Sequence, residues 1–129
     1  MNAAKFAEQW IEAWNSHDLG GILAHYCDDF EITTPMIKVM LGGGNGKLKG
    51  KAAIGAYWQA ALDKTPELNF RLLDVTEGVD SIAIYYTSVL DKLAIEVMFF
   101  EEELQPGRGG NDTNNNYDKK VSRVVVHYR

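Results

Sequence analysis

The chain has 129 residues, 46% of them hydrophobic and 24% charged, with a formal net charge of -5. That length is enough for residues 1–129 to form a single domain with its own core, without metals or disulfides. The acidic balance argues against a nucleic-acid partner, the single cysteine (Cys27) rules out an internal disulfide, and no apolar run approaches the roughly 18 residues of a membrane span.

The opening "MNAAKFAEQW" is amphipathic and lacks the apolar stretch of a signal peptide, so a soluble, cytoplasmic chain with no membrane partner is expected. From Ala3 to Asn15 the apolar residues Phe6, Trp10, Ala13 and Trp14 recur at helical spacing, with Glu8, Gln9 and Glu12 on the other side. The tract "NSHD" ends this helix with residues that bond their own backbone. Asp18 is the N-cap expected for a second, short helix whose buried stripe is Leu19, Ile22, Leu23 and Tyr26. In "DDFEITTP" the alternation of Phe30 and Ile32 with Glu31 and Thr33 predicts a strand, ended by Pro35. Residues 36–50, with "GGGNGKLKG", are expected to form a mobile loop. A third helix is predicted over 51–63, with Ile54, Tyr57, Trp58, Ala61 and Leu62 on one side, stopped by Thr65-Pro66.

Beyond Pro66 the period changes from helical to two. Strands are predicted around Phe70 to Asp74, from Ser81 to Leu90, from Leu93 to Glu103 and from Val121 to Tyr128. The polar stretch "QPGRGGNDTNNNYD" is expected to be a long hairpin tip between the last two. Helices followed by consecutive strands predict an α+β fold: three N-terminal helices packed on a curved, mainly antiparallel sheet. The sheet face away from the helices, expected to carry Ala83, Tyr85, Val97, Phe99, Val124 and Val126, is too apolar to remain wet. A homodimer formed through that outer face is therefore expected.

The run "AWNSHDLGGILAHYCDDFEITTP", the following "GKAAIGAYWQAAL" and the closing "VVVHY" resemble the NTF2-like superfamily, and within it the SnoaL-like and ketosteroid-isomerase-like group. The resemblance covers essentially the whole chain. It implies a cone-shaped, cystatin-like fold with a pocket between helices and concave sheet, and it implies no single reaction, because the superfamily hosts isomerases, dehydratases, cyclases, transport adaptors and assembly domains. In ketosteroid isomerases a carboxylate moves a proton while a Tyr and a protonated Asp hold the oxyanion. Carried over by position, the tyrosine falls on Trp10, the base on Thr34 and the oxyanion-binding acid on Glu96 of "IEVMFF". Threonine takes up no proton at neutral pH. The resemblance therefore implies that steroid isomerisation by that mechanism is absent.

If Glu96 faces the pocket, alternation brings Met98 in with it, Tyr86 from the preceding strand, and Arg123, Val125 and His127 from the last. The expected lining is Trp10, Trp14, Tyr26, Thr34, Trp58, Phe70, Tyr86 and Met98, with Arg123 as a partner for a substrate carboxylate. Glu96 and His127 form the expected catalytic acid–base pair. The competing reading is a structural pair pinning two strands, just as the three Trp residues at helical spacing also suit plain core packing. His17 and His25 are expected on exposed helix ends and Cys27 as a buried thiol. No H-x-H, H-E-x-x-H or C-x-x-C spacing occurs, so no metal is expected, and proton transfer calls for no cofactor. The expected function is an isomerase, cyclase or dehydratase acting on a small, largely apolar ligand. The alternatives are a non-catalytic binding protein for such a ligand and a dimeric interaction domain.

Overall fold

The computed structural model describes residues 2–104 and 117–129. Helix α1 (Ala3–Asn15) is capped by the Asn2 side chain, which accepts from the Lys5 N–H at 3.0 Å, and it buries Ala3, Ala7, Trp10 and Trp14 as one stripe. Helix α2 (Leu19–Leu23) starts on the Asp18 side chain, which accepts from the Gly21 N–H. Strand β1 (Tyr26–Thr33) runs into Thr34, whose Oγ1 accepts from the Met36 N–H at 3.2 Å and caps helix α3 (Pro35–Leu41). Pro35 does not merely end the strand. At the first helical position its missing N–H costs nothing and its fixed φ suits the turn. The α3 helix stops at Gly42, whose φ of 71° is the left-handed conformation that glycine adopts without a Cβ clash. After it come a short strand β2 (Lys47–Lys49) and helix α4 (Lys51–Lys64), which buries Ile54, Gly55, Trp58 and Leu62. The expected loop over 36–50 is thus corrected to a helix and a strand joined by glycines, giving four α-helices among the described residues.

The second half supplies β3 (Arg71–Gly78), β4 (Ser81–Thr87), a single 3-10 turn at Val89–Asp91, β5 (Leu93–Leu104) and β6 (Tyr117–Tyr128). The expected hairpin tip over residues 105–116 lies outside the described residues. The sheet is six-stranded, in the order β2-β1-β6-β5-β4-β3, and mixed, because β1 pairs parallel to β6 while every other pairing is antiparallel. The fold is α+β, with the helices over the inner face of this curved sheet. That face carries Ile82, Ile84 and Tyr86 from β4, Ala94, Glu96, Met98 and Phe100 from β5, and Val121, Val124 and Val126 from β6, all buried.

The face assigned to β6 from the sequence is corrected by the register. Glu96 pairs with Val126, and His127 pairs with Ile95. Arg123, Val125 and His127 therefore point to the outer face, and Val124, Val126 and Tyr128 to the inner one. The offset between Phe99↔Arg123 and Phe100↔Val121 leaves Ser122 as an extra residue, a bulge that changes which alternate residues face in.

Candidate functional site

Two tethers bring the segment before β3 against the end of α1. The Asn15 side chain donates to the Phe70 carbonyl at 2.9 Å and accepts from the Phe70 N–H at 2.6 Å, and His17 Nε2 lies 3.0 Å from the Leu68 carbonyl. The "NSHD" tract thus does more than end a helix, and His17 is half-buried, not exposed. These bonds fix Phe70 against Trp14, ring centroids 5.4 Å apart, and against Tyr86 at 4.7 Å. Trp14 in turn meets Trp58 of α4 edge to face at 5.2 Å. The result is an aromatic wall that stops short of filling the space beneath α3 and α4.

The remaining space is a cavity of about 320 Å³. Its wall is Trp14, Trp58, Ala61, Leu68 and Phe70, and its floor is Ile32, Thr34, Tyr86, Glu96, Val126 and Tyr128 of the inner sheet face. Met36 and Met40 of α3, Lys64 and Thr65 at the end of α4, and Ser88 and Val89 complete it, and the exposed side chains of Met40 and Lys64 mark its mouth. Tyr57 of α4 also reaches it.

Glu96 is the acid in this cavity. Its carboxyl is buried, its cross-strand neighbours Ile84 and Val126 are apolar, and Tyr86 Oη donates to its Oε2 at 2.5 Å. Burial disfavours the charged form and pushes the carboxyl up from its ordinary 4.5 to about 7, although the Tyr86 hydrogen bond pulls the other way. Near neutrality the group exchanges a proton readily in both directions. The surrounding phenols move up as well. Burial, then the charge of Glu96, pushes Tyr57 up to about 12, and the same two causes raise Tyr86 and Tyr128. All three stay protonated at neutral pH, and Tyr86 donates to Glu96.

Of the residues singled out in the sequence, the fold brings Trp14, Thr34, Trp58, Phe70, Tyr86 and Glu96 to the cavity. Trp10, Tyr26 and Met98 are fully buried in the core instead. Trp10 Nε1 donates to Tyr26 Oη at 2.8 Å, so its N–H is spent inside the core. His127 is exposed on the opposite face from Glu96, which removes the expected acid–base pair. Arg123 is exposed on that same outer face, its guanidinium 4.1 Å from the centre of the Phe99 ring. Tyr57 and Tyr128 were missed. Helical spacing puts Tyr57 on the same side of α4 as Trp58 without marking it as part of a site, and the inward facing of Tyr128 follows only from the β6 register. His25 is half-buried against Phe6, its pKa lowered by burial and then by Lys120. Among the described residues no group of three or more His, Cys, Asp or Glu side chains is placed to hold a metal ion. No helix among them is long and apolar enough to cross a membrane.

The family model described as the SnoaL-like domain matches residues 7–129. The chain belongs to the SnoaL-like domain family. A SnoaL-like protein of unknown function from Burkholderia thailandensis is 39% identical, with a TM-score of 0.79 over 98% of this chain and 94% of that one. An NTF2-like protein from Cytophaga hutchinsonii, at 12% identity, gives a TM-score of 0.56 over 94% of this chain and 84% of its own. A protein with a cystatin-like fold from Methylobium petroleophilum, at 17% identity, gives 0.63 over 97% and 74%. The last two likenesses concern the fold alone. Among proteins of curated function, none matches the chain. Within this SnoaL-like domain, Thr34 and Glu96 both line the cavity, and the acid there is Glu96.

Proposed function

We propose that this SnoaL-like domain moves a proton on a small, largely apolar carbonyl compound, as an isomerase, cyclase or dehydratase would, with Glu96 carrying the proton. The observation behind this is a buried carboxyl that faces an aromatic cavity with a pKa near 7 and one phenol as its hydrogen-bond partner. A single carboxyl suffices for such chemistry. Glu96 takes a proton from the carbon beside a carbonyl and returns it to another carbon or to a leaving hydroxyl. No cofactor is needed for that step.

β-Tetralone, an apolar bicyclic ketone with acidic protons beside its carbonyl, provides a test. It is expected to raise the melting temperature of the wild-type protein and to exchange those protons for deuterium faster in its presence, followed by proton NMR. Glu96→Gln should keep the thermal shift and lose about 10²–10⁴-fold of the protein-dependent exchange. Equal exchange in both proteins would remove Glu96 from the chemistry.

One observation favours a second reading, a non-catalytic binding protein. The described residues that line the cavity are mostly aromatic and aliphatic, with Glu96 the only carboxyl among them, a lining suited to holding an apolar ligand without transforming it. A thermal shift without deuterium exchange is the expected result for a binder.

We further propose that two copies pair through the outer sheet face in the cytoplasm. Tyr85, Ile95, Val97, Phe99 and Val125 there are only partly buried within one chain. Sedimentation should give a dimer at micromolar concentration, and a compact monomer would remove that expectation.

A further inference from the structure

The charges of this acidic chain are unevenly placed. Between Glu31 and Asp63 there is no carboxylate, while Lys38, Lys47, Lys49 and Lys51 all fall in that stretch. In its middle the chain leaves the body of the domain. The Thr34 N–H donates to the Gly46 carbonyl at 2.9 Å, closing the base of a protrusion made of α3 and its glycines. Buried Ile37 anchors the protrusion, and every residue from Lys38 to Asn45 is exposed.

Three consecutive large apolar side chains form its tip: Val39, Met40 and Leu41, 73%, 36% and 62% exposed. The other large hydrophobic side chains exposed among the described residues, Leu73, Val79 and Leu90, stand singly along the chain. Lysines flank the tip. The Lys38 Cγ lies 3.7 Å from where a Cβ on Gly46 would stand, which sets it next to Lys47. Lys64, exposed at the end of α4, lines the cavity mouth together with Met40. Lys49 sits opposite Glu31 across the strands, and Lys51 lies 3.6 Å from Asp28, so those two charges are balanced. Asp63, beside Lys64 in the chain, accepts from the Gln59 side chain on α4. Lys38, Lys47 and Lys64 are left to meet a negative surface.

We propose that this protrusion docks on an anionic lipid bilayer, with Val39 and Leu41 entering the acyl boundary and Lys38, Lys47 and Lys64 meeting the headgroups. Two features point to lipid over a protein partner. A stable protein interface takes about 20–30 residues a side, far more than this tip offers, whereas acyl chains need no matched surface. The tip also borders the mouth of an apolar cavity, with Met40 belonging to both. An apolar ligand dissolved in the bilayer therefore reaches the cavity without crossing water. Docking of this kind needs no spanning helix, and it replaces the expectation of no membrane partner, which followed from the missing span. It holds whether or not Glu96 transforms the ligand.

Co-sedimentation with large unilamellar vesicles tests this, using phosphatidylcholine alone and phosphatidylcholine with about a third phosphatidylserine. The wild-type protein is expected to pellet with the mixed vesicles and to bind the neutral ones about tenfold more weakly. Salt at about 1 M, which screens charge within about 3 Å, should remove that difference. Val39→Ser with Leu41→Ser should weaken binding to the mixed vesicles about tenfold or more. Lys38→Gln with Lys47→Gln should weaken it about thirtyfold. All four positions are exposed, so both double variants are expected to keep the wild-type melting temperature. Wild-type protein that ignores the mixed vesicles, or binds both kinds equally, overturns the proposal. Undiminished binding by a folded double variant overturns it as well, and the lysine pair decides if the serine pair fails to fold. Self-association without vesicles that the serine pair abolishes would mean that a second copy covers the tip, and would overturn it too.

Discussion

Glu96 and Met98 stand two residues apart on β5, on the same face of the same sheet, yet they occupy opposite kinds of surroundings. Around Met98 the inner face is packed shut: Phe6 meets Phe100 at 5.1 Å, and the Trp10 N–H is satisfied by Tyr26. Around Glu96 the helices leave about 320 Å³ open, and the carboxyl has a phenol for its hydrogen-bond partner. One strand therefore serves both a core and a site. The difference comes from what covers each half: α1 lays large aromatic side chains on one, and α3 with α4 bridge the other without filling it.

The comparison predicts a graded set of responses. The largest belongs to the packed half. Trp10→Ala leaves a cavity where a fully buried indole and its hydrogen bond stood, and should cost about 3–5 kcal/mol of stability in urea unfolding. A loss below about 1 kcal/mol would mean that the packed half is not the source of stability.

Next comes the open half, where the effect depends on pH. Glu96 has a folded-state pKa of about 7 against 4.5 for the ordinary group. Between those values the folded state holds more protons than the unfolded one, so stability falls as pH rises through that window and the loss is complete above about pH 7. Glu96→Gln has no such loss. It should exceed the wild type by roughly 3 kcal/mol at about pH 8 and match it at about pH 4.5. A difference independent of pH would show that Glu96 carries no raised pKa.

The smallest effect is expected at His127, which is exposed on the outer face. His127→Ala should change stability by no more than about 0.5 kcal/mol and leave ketone exchange unaltered. A large loss of exchange would put the imidazole back into the site.

Much of this architecture was legible in the residues. The helix whose predicted stripe includes Trp10 and Trp14, the Asp18 cap and the change of period after Pro66 each have a local physical cause, and each appears where the pattern puts it, although Ala3 and Ala7, not Phe6 and Ala13, complete the buried stripe. Helix α3 was hidden by the glycine run after it, although Thr34 and Pro35 carry an N-cap and first-turn signature and Gly42 a C-cap. Three-residue β2 is too short to show a period. The parallel pairing of β1 with β6 joins residues roughly ninety positions apart, and no local pattern records it. The facing of β6 was obscured because Val124, Val125 and Val126 are equally apolar on both faces, and because the bulge at Ser122 breaks the alternation. Glu96 follows from the family resemblance, whereas the inward facing of Tyr128 needs the β6 register, which no local pattern gives.

The central claim is that the Glu96 carboxyl keeps its proton to neutral pH because the cavity floor withholds water from it. Carbon-13 labelling of glutamate side chains, with Glu96 assigned by the resonance missing in Glu96→Gln, measures this directly by NMR titration. The account predicts a midpoint near 7 for Glu96, moving higher in Tyr86→Phe as the stabilising donor is lost. A midpoint in the ordinary carboxylate range, about 4 to 4.5, would contradict it.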